Sequence, residues 1–367
     1  MKATDALLES NPFEFSEQSG KLFLESFKET ALYHYTHHEF TRKLWDKFGF
    51  HPGQIETEKD LERVPGTMVH LFKEHELCSV PREDLVLVLT SSGTGGQKSQ
   101  QFLDQRSLDN VKKLALNIHR ALGMASEKDY NYLCFTYDPQ VANDLGTAFT
   151  DELLTNFTGK KEVYYAIQWN ADKNDFALNE AGVVETLKRF AASGTPTRIL
   201  GFPALLFEMI EKYQLQLDLG SESWLQTGGG WKGKADKEIP KKEFRKLIEE
   251  KLGIPQKHQR DLFGMVEHGI PYVDCEKGNL HIPNYARVFV RSPHDLSLKK
   301  KGERGLLHFL CTYNTSYPAP SLLTTDYGRI GSCDCGLAGD VLILEGRAGV
   351  TKHKGCALKA LELVEKH

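Results

Sequence analysis

Residues 85–100 read LVLVLTSSGTGGQKSQ. The apolar run Leu85 to Thr90, with its β-branched valines, has the pattern of a buried strand, and it stops at a turn of two hydroxyl residues, a glycine, a threonine and two more glycines. Glycines let a backbone turn sharply and bring N–H groups close to an anion, and Ser/Thr hydroxyls add further donors. Ser91, Ser92, Gly93, Thr94 and Gly95 therefore form a candidate phosphate cradle; a polar hairpin turn is the plainer alternative. No Gly-Lys-Ser/Thr follows at the spacing of a Walker loop, and the pattern is not G-x-G-x-x-G. SLDNVKKLALNIHRALGM then has helical period with Ser107 as its N-cap, so strand, glycine loop and helix are expected in succession.

Outward from this segment, strands and helices alternate. NYLCFTY (131–137), EVYYAI (162–167), TRILGF (197–202), WLQTGG (224–229) and HQRDLFG (258–264) read as strands, with helices over 180–193, 203–215 and 240–252. That alternation predicts α/β layers. ARVFVRS, GLLHFLCTY and DVLILEG, all beyond residue 270, look like antiparallel hairpins instead. Upstream, KLFLESFKETALYHYTHH spaces Leu22, Leu24, Phe27, Ala31 and Leu32 as a helix would, and residues 60–73 continue in that style. The expected organisation is a helical N-terminal layer (1–85), an α/β nucleotide- and acyl-binding core (86–270) and a β-rich part (271–367).

Composition narrows the function. Hydrophobic residues make up 40% and charged residues 26% of the 367-residue chain, enough apolar side chain for a sizeable core. A net charge of -4 supplies no basic field for nucleic acid or anionic lipid. The N-terminus lacks the apolar stretch of a signal peptide, and nowhere do about 18 apolar residues run together. A cytoplasmic setting without a membrane span is expected, in which the seven cysteines are core thiols, metal ligands or nucleophiles rather than a disulfide framework.

The order of motifs resembles the adenylate-forming superfamily, whose phosphate loop reads Ser-Ser-Gly-Thr-Thr-Gly-x-Pro-Lys. Here Gly95 replaces the second threonine, Lys98 falls at the proline position and Ser99 at the lysine position. TGGGWKGK (227–234) resembles the adenine-side Gly-Gly segment, and DLFGMVEHG (261–269) the Tyr-Gly-x-Thr-Glu motif, with Glu267 at the metal-binding position. Leu323 to Asp326 resembles the ribose-binding aspartate segment, and GRAGVTKHKGC (346–356) the Gly-Arg hinge. Within the superfamily the chain is similar to phenylacetate-CoA ligases and, more closely, to the LuxE-type acyl-protein synthetases. DLERVP (60–65), TGGGWK, SYPAPSLLTTDYG (316–328) and a lone cysteine in a basic-Gly-Cys ending carry that likeness. It spans Phe13 to Cys356.

The resemblance implies an adenylate-forming-enzyme-like large domain whose mobile C-terminal domain is truncated. It also implies a reaction in which a carboxylic acid, a fatty acid by that likeness, attacks the α-phosphorus of ATP and expels pyrophosphate. Glu267 would hold Mg2+, Asp326 the ribose hydroxyls with Arg347 nearby, and Gly229, Gly230 and Trp231 the adenine. Without that context a loop glutamate, a turn aspartate and a flexible glycine turn are the bland readings. GFPALLFEMI, with Phe202, Leu205, Leu206 and Met209, reads as an acyl-pocket wall or as ordinary core. Cys356 lies among Lys352, His353, Lys354 and Lys359, and cations favour the nucleophilic thiolate. As in the family, it would accept the acyl group and pass it to an acyl-CoA-reductase-like partner. An acyl-CoA ligase and a non-catalytic nucleotide-binding scaffold are the alternatives.

A second constellation concerns zinc. Cys275-Glu-Lys-Gly-Asn-Leu-His281 reads as a hairpin turning at Lys277-Gly278-Asn279, which would place Cys275 and His281 on facing strands. Cys333 and Cys335 would complete a Cys3His set for structural Zn2+, with His268 as the alternative to His281 for the nitrogen position and an ordinary strand residue as the plainer reading of His281.

Overall fold

Helix α1 (Lys2–Glu9) precedes α2 (Glu17–His37), which starts where Ser16 and Ser19 cap each other's backbone N–H groups. The inward stripe of α2 is Phe23, Phe27, Ala31 and His34: Phe27 and Ala31 of the expected apolar set are buried, whereas Leu22, Leu24 and Leu32 are only half-buried. After α3 (Glu39–Lys47) the predicted helix over 60–73 does not form. Pro65 and Gly66 end a 3-10 turn at Glu58–Arg63, β1 (Thr67–Met68) follows, and only α4 (Leu71–Glu74) is helical. Tertiary pairing overrides the helical period here, because Thr67 and Met68 lie parallel to Leu322 and Leu323.

The computed structural model describes residues 2–90, 100–138, 146–170, 175–231 and 237–347. The predicted strand–loop–helix order is corrected: β2 (Leu85–Thr90) pairs antiparallel with β3 (Gln100–Asp104), Thr90 opposite Gln100, and α5 (Gln105–Ala121) starts only afterwards. Nor is β2 a buried strand, since only Leu89 is fully buried. Asp104, not Ser107, caps α5, its carboxylate accepting the Ser107 N–H at 2.8 Å.

The elements that follow are β4 (Asp129–Tyr137), α6 (Gly146–Thr155), β5 (Gly159–Asn170), β6 (Asp175–Leu178), α7 (Glu180–Ser193), β7 (Thr197–Gly201), α8 (Pro203–Tyr213), β8 (Trp224–Gly228), α9 (Lys241–Leu252) and β9 (Gln259–Phe263). The expected strands and helices from β4 to β9 are present, with α6 and β6 added to them. Then come β10 (Tyr272–Val273), β11 (Leu280–His281), β12 (Ala286–Arg291), β13 (Gly305–Cys311), β14 (Ser321–Gly331) and β15 (Val341–Arg347). Among the described residues, one sheet runs β10-β9-β8-β7-β4-β5-β6, parallel from β9 to β5 with antiparallel edges. A second runs β11-β15-β14-β13-β12, antiparallel along that order, with β1 added parallel beside β14, and β2 and β3 form a separate two-stranded sheet.

Both faces of the parallel sheet are covered, which explains its near-continuous apolar strands. Tyr132 and Cys134 point toward Val111 and Leu114 of α5, while Leu133 and Phe135 join the core of α7, α8 and α9. The chain steps from β4 to β5 and then crosses back to β7 on the other side of β4. Such a reversal opens a crevice at the carboxyl ends of the strands, the usual place for a ligand in an open α/β sheet. Among the described residues no helix is long and apolar enough to cross a membrane.

Candidate active site

The predicted glycine segment and the loop to Glu267 leave from the carboxyl ends of two adjacent strands, β8 and β9. These strands are parallel, with Gly228 opposite Leu262. Beyond Gly228 the chain turns through Gly229 (φ 74°) and Gly230 (φ 66°), left-handed conformations that favour glycine, and delivers Trp231. Phe207 and Phe244 hold the indole edge-on at 5.3 and 5.7 Å between ring centres. Gly230 and Trp231 line a cavity of about 170 Å³ together with Thr227, Lys241, Asp261 and Asp274.

From the neighbouring end of β9, Gly264 to Glu267 leads away, and Glu267 is 7% exposed. Its charge is felt at Tyr317, whose phenol is pushed well above its ordinary pKa by burial first and by charges including Glu267 second. Gly269 (φ 71°) closes this loop against Tyr313, where a Cβ would come within 1.8 Å of the phenol oxygen. Gln101 of β3 donates to the same oxygen at 2.8 Å, so the glutamate loop and the β2–β3 hairpin meet on one tyrosine. Behind them His268, Tyr272 and Phe263 pack on Phe309 of β13 and join the two sheets. Burial lowers the His268 pKa to about 3, so the imidazole is neutral, with Nε2 2.8 Å from the Tyr272 hydroxyl.

Asp326 stands directly opposite Arg347 across β14 and β15, so these two predicted residues form a cross-strand pair on the antiparallel sheet. Phe202, Leu205, Leu206 and Met209 are buried in the core of α7 to α9, as the plainer reading had it. Ser91 to Gly95 and Cys356 lie outside the described residues; for the former, the flanks Thr90 and Gln100 are paired.

One group of charges was not anticipated. Asp261 and Asp274 share Lys241, whose Nζ lies 2.6 Å from Asp274 and 3.8 Å from Asp261, and the Thr227 hydroxyl donates to Asp261 at 3.1 Å. The only sequence signal was position: Asp261 stands two residues before the Phe263-Gly264 of its motif, whereas Lys241 and Asp274 belong to other elements. Burial raises the Asp261 pKa from 3.8 to about 6, Lys241 opposes the shift and Asp274 adds to it. A carboxyl with a raised folded-state pKa costs stability once it ionises, so its contribution falls as pH rises from about 4 to about 6 and stays lost above that. Solvent blunts the effect, since 35% of the side chain is exposed. Asp261→Asn is accordingly expected to melt higher than wild type near neutral pH, with the advantage shrinking on acidification. Thermal midpoints of both proteins from about pH 7 down to about pH 4 test this; a difference independent of pH would refute it.

The four predicted zinc ligands converge. Asp274 bridges to Leu280 around the anticipated turn, the Cys275 N–H donates to the Asn279 carbonyl at 2.9 Å, and Cys333 and Cys335 in the β14–β15 connection reach the same place. Ligand atoms of Cys275, His281, Cys333 and Cys335 all lie within 4.8 Å of one another. His268 is engaged with Tyr272 instead. Burial pushes the Cys275 thiol upward, but hydrogen bonds from His281 and from backbone N–H groups outweigh it and hold the pKa at about 6.

A family model described as acyl-protein synthetase, LuxE, matches residues 1–364. The long-chain-fatty-acid–luciferin-component ligase of Aliivibrio fischeri is 23% identical over 370 aligned residues, covering 99% of this chain and 94% of that protein. The Vibrio harveyi enzyme of the same name is 22% identical, covering 96% and 91%. Phenylacetate-coenzyme A ligase of Escherichia coli (strain K12) is 23% identical over 326 residues, covering 83% of this chain and 66% of that one. Among solved structures, 2-hydroxyisobutyryl-CoA ligase in complex with 2-HIB-AMP and CoA superimposes with a TM-score of 0.69 at 17% identity, over 94% of this chain and 71% of that one. The anticipated adenylate-forming fold is therefore present.

Proposed function

The chain belongs to the LuxE family of acyl-protein synthetases, and on that premise we propose that it activates a fatty acid as acyl-AMP and then carries the acyl group on Cys356. The observation that carries this reading is the shared exit of Gly228–Trp231 and Glu267 from adjacent carboxyl ends of β8 and β9, with a cavity at the first of them.

Adenine would lie against the bare backbone of Gly229 and Gly230 with Trp231 as a wall, and Thr227 and Asp261 offer polar groups for its edge. The ribose hydroxyls would donate to Asp326, with Arg347 opposite. Donors from Ser91 to Gly95 would hold the phosphates. Glu267 fits a divalent cation because it is a nearly buried carboxylate, the hard oxygen donor that Mg2+ prefers. When bound, Mg2+ would neutralise phosphate charge. A carboxylate oxygen of the acid then forms a bond to the α-phosphorus while the bond to pyrophosphate breaks, a step helped chiefly by positioning and charge. Next the Cys356 thiolate attacks the acyl carbonyl, AMP leaves with the electron pair, and a thioester remains. That thioester would be handed to a reductase partner.

Incubation with ATP, Mg2+ and a panel of carboxylic acids, followed by intact-mass measurement, tests the proposal. A hydroxylamine-labile acyl adduct on the wild-type chain, dependent on ATP, is expected with fatty acids. Pyrophosphate release with no adduct, and turnover only when CoA is supplied, would replace this reading with that of a CoA ligase. Nucleotide binding with no pyrophosphate release would leave only a scaffold.

A further inference from the structure

We propose that Cys275, His281, Cys333 and Cys335 bind one structural zinc ion that clamps the parallel and antiparallel sheets together at the point where the chain passes between them. The spacing suits a tetrahedral ion. Zn–S bonds of about 2.3 Å place two sulfurs roughly 3.8 Å apart, and a sulfur and an imidazole nitrogen roughly 3.6 Å apart. Cys275 and Cys333 sulfurs stand 3.8 Å apart, and the Cys335 sulfur lies 3.2 Å from His281 Nε2. A disulfide needs sulfurs about 2 Å apart, far closer than this pair. Three thiols and one imidazole are soft donors that select zinc over magnesium or calcium.

The surroundings already hold the ligands in place. Asn279 Nδ2 donates to the Cys333 sulfur at 3.3 Å, and His281 is fully buried edge-on against Phe13. Lys277, at the hairpin tip, binds the Asp334 carboxylate at 2.9 Å and its carbonyl at 3.1 Å, fastening one ligand-bearing turn to the other. Cys275 follows β10, which pairs with β9 in the parallel sheet, while His281 is in β11, which pairs with β15 in the antiparallel sheet. Cys333 and Cys335 connect β14 to β15. The ion would thus tie the β9 side, which leads to Glu267, to the hairpin that carries Asp326 and Arg347. That consequence rests on the adenylation reading, whereas the metal site itself does not.

The test uses the full-length chain, purified in reducing buffer from zinc-supplemented cells. Elemental analysis is expected to find one zinc per chain, and replacement by Co2+ should give the strong absorption of a tetrahedral thiolate site. Cys335→Ser, at a half-buried position, should lower zinc affinity at least tenfold, while Cys78→Ser leaves it unchanged. Folded wild-type protein with neither bound zinc nor a cobalt spectrum would overturn the proposal, as would thiol titration showing Cys275 and Cys333 joined in a disulfide under these conditions. Pyrophosphate exchange measured on the same samples separates the two ideas: metal content does not depend on adenylation, and adenylation can fail with the zinc in place.

Discussion

Cys356→Ala is expected to lose the acyl adduct on the protein almost entirely, by a factor of roughly 10³ or more, the scale seen when a covalent nucleophile is removed. Pyrophosphate exchange should stay within about twofold of wild type, because in the proposed sequence the adenylate forms before the thiol acts. The split between the two readouts is the informative part. A fold defect would depress both, whereas loss of the acceptor alone leaves acyl-AMP to form and dissociate. Cys356→Ser should show little adduct as well, since a serine hydroxyl without an adjacent base is a far weaker nucleophile than a thiolate. Mass analysis of wild type and both variants, with fatty acid and ATP in excess, decides it. An undiminished, hydroxylamine-labile adduct on Cys356→Ala would move the acceptor to another residue and leave Cys356 without the proposed role.

Glu267→Gln should act one step earlier. Replacing the charged carboxylate by a neutral amide removes the hard ligand proposed for Mg2+ while keeping the side chain's shape. Pyrophosphate exchange is expected to fall about 10²- to 10³-fold, equivalent to roughly 3–4 kcal/mol of transition-state stabilisation. Raising Mg2+ should recover part of the loss. Because Glu267 is nearly buried and its charge acts on Tyr317, the thermal midpoint must be measured alongside. If the variant keeps exchange within a few-fold of wild type, Glu267 is a packing residue and the assignment fails. A collapse of the midpoint together with activity calls for Glu267→Asp, which keeps the charge and should retain more exchange than the amide.

Much of the architecture was legible locally. Helix α7 begins and ends where its local signals say it should, with Asn179 accepting the Gly182 N–H at its start and Gly194 (φ 68°) closing it. β4 was visible as a continuous apolar run because helices cover both faces of its sheet. The paired glycines before Trp231 and the turn at Lys277-Gly278-Asn279 were equally readable, since each is a short-range backbone requirement. Over residues 60–73 a local apolar period competes with Pro65, Gly66 and a strand partner more than 250 positions away, and the helix it predicts does not form. QQFLD was not recognised as a strand because its partner LVLVLT, not its own composition, makes it one.

The candidate site divides in the same way. From sequence alone came the alternating α/β plan, the glycine turn before Trp231, the order of motifs that resembles an adenylate-forming enzyme, and the four candidate zinc ligands as two separate short segments, because adjacent residues and their turns determine these. Only the tertiary structure decided that Gly228 and Leu262 stand side by side, that Lys241 lies between Asp261 and Asp274, that Gln101 meets Tyr313, and that Cys333 and Cys335 reach Cys275 and His281. Each of those contacts joins residues far apart in the chain, and their proximity arises from sheet register and from burial of a shared core, which no local pattern of side chains encodes.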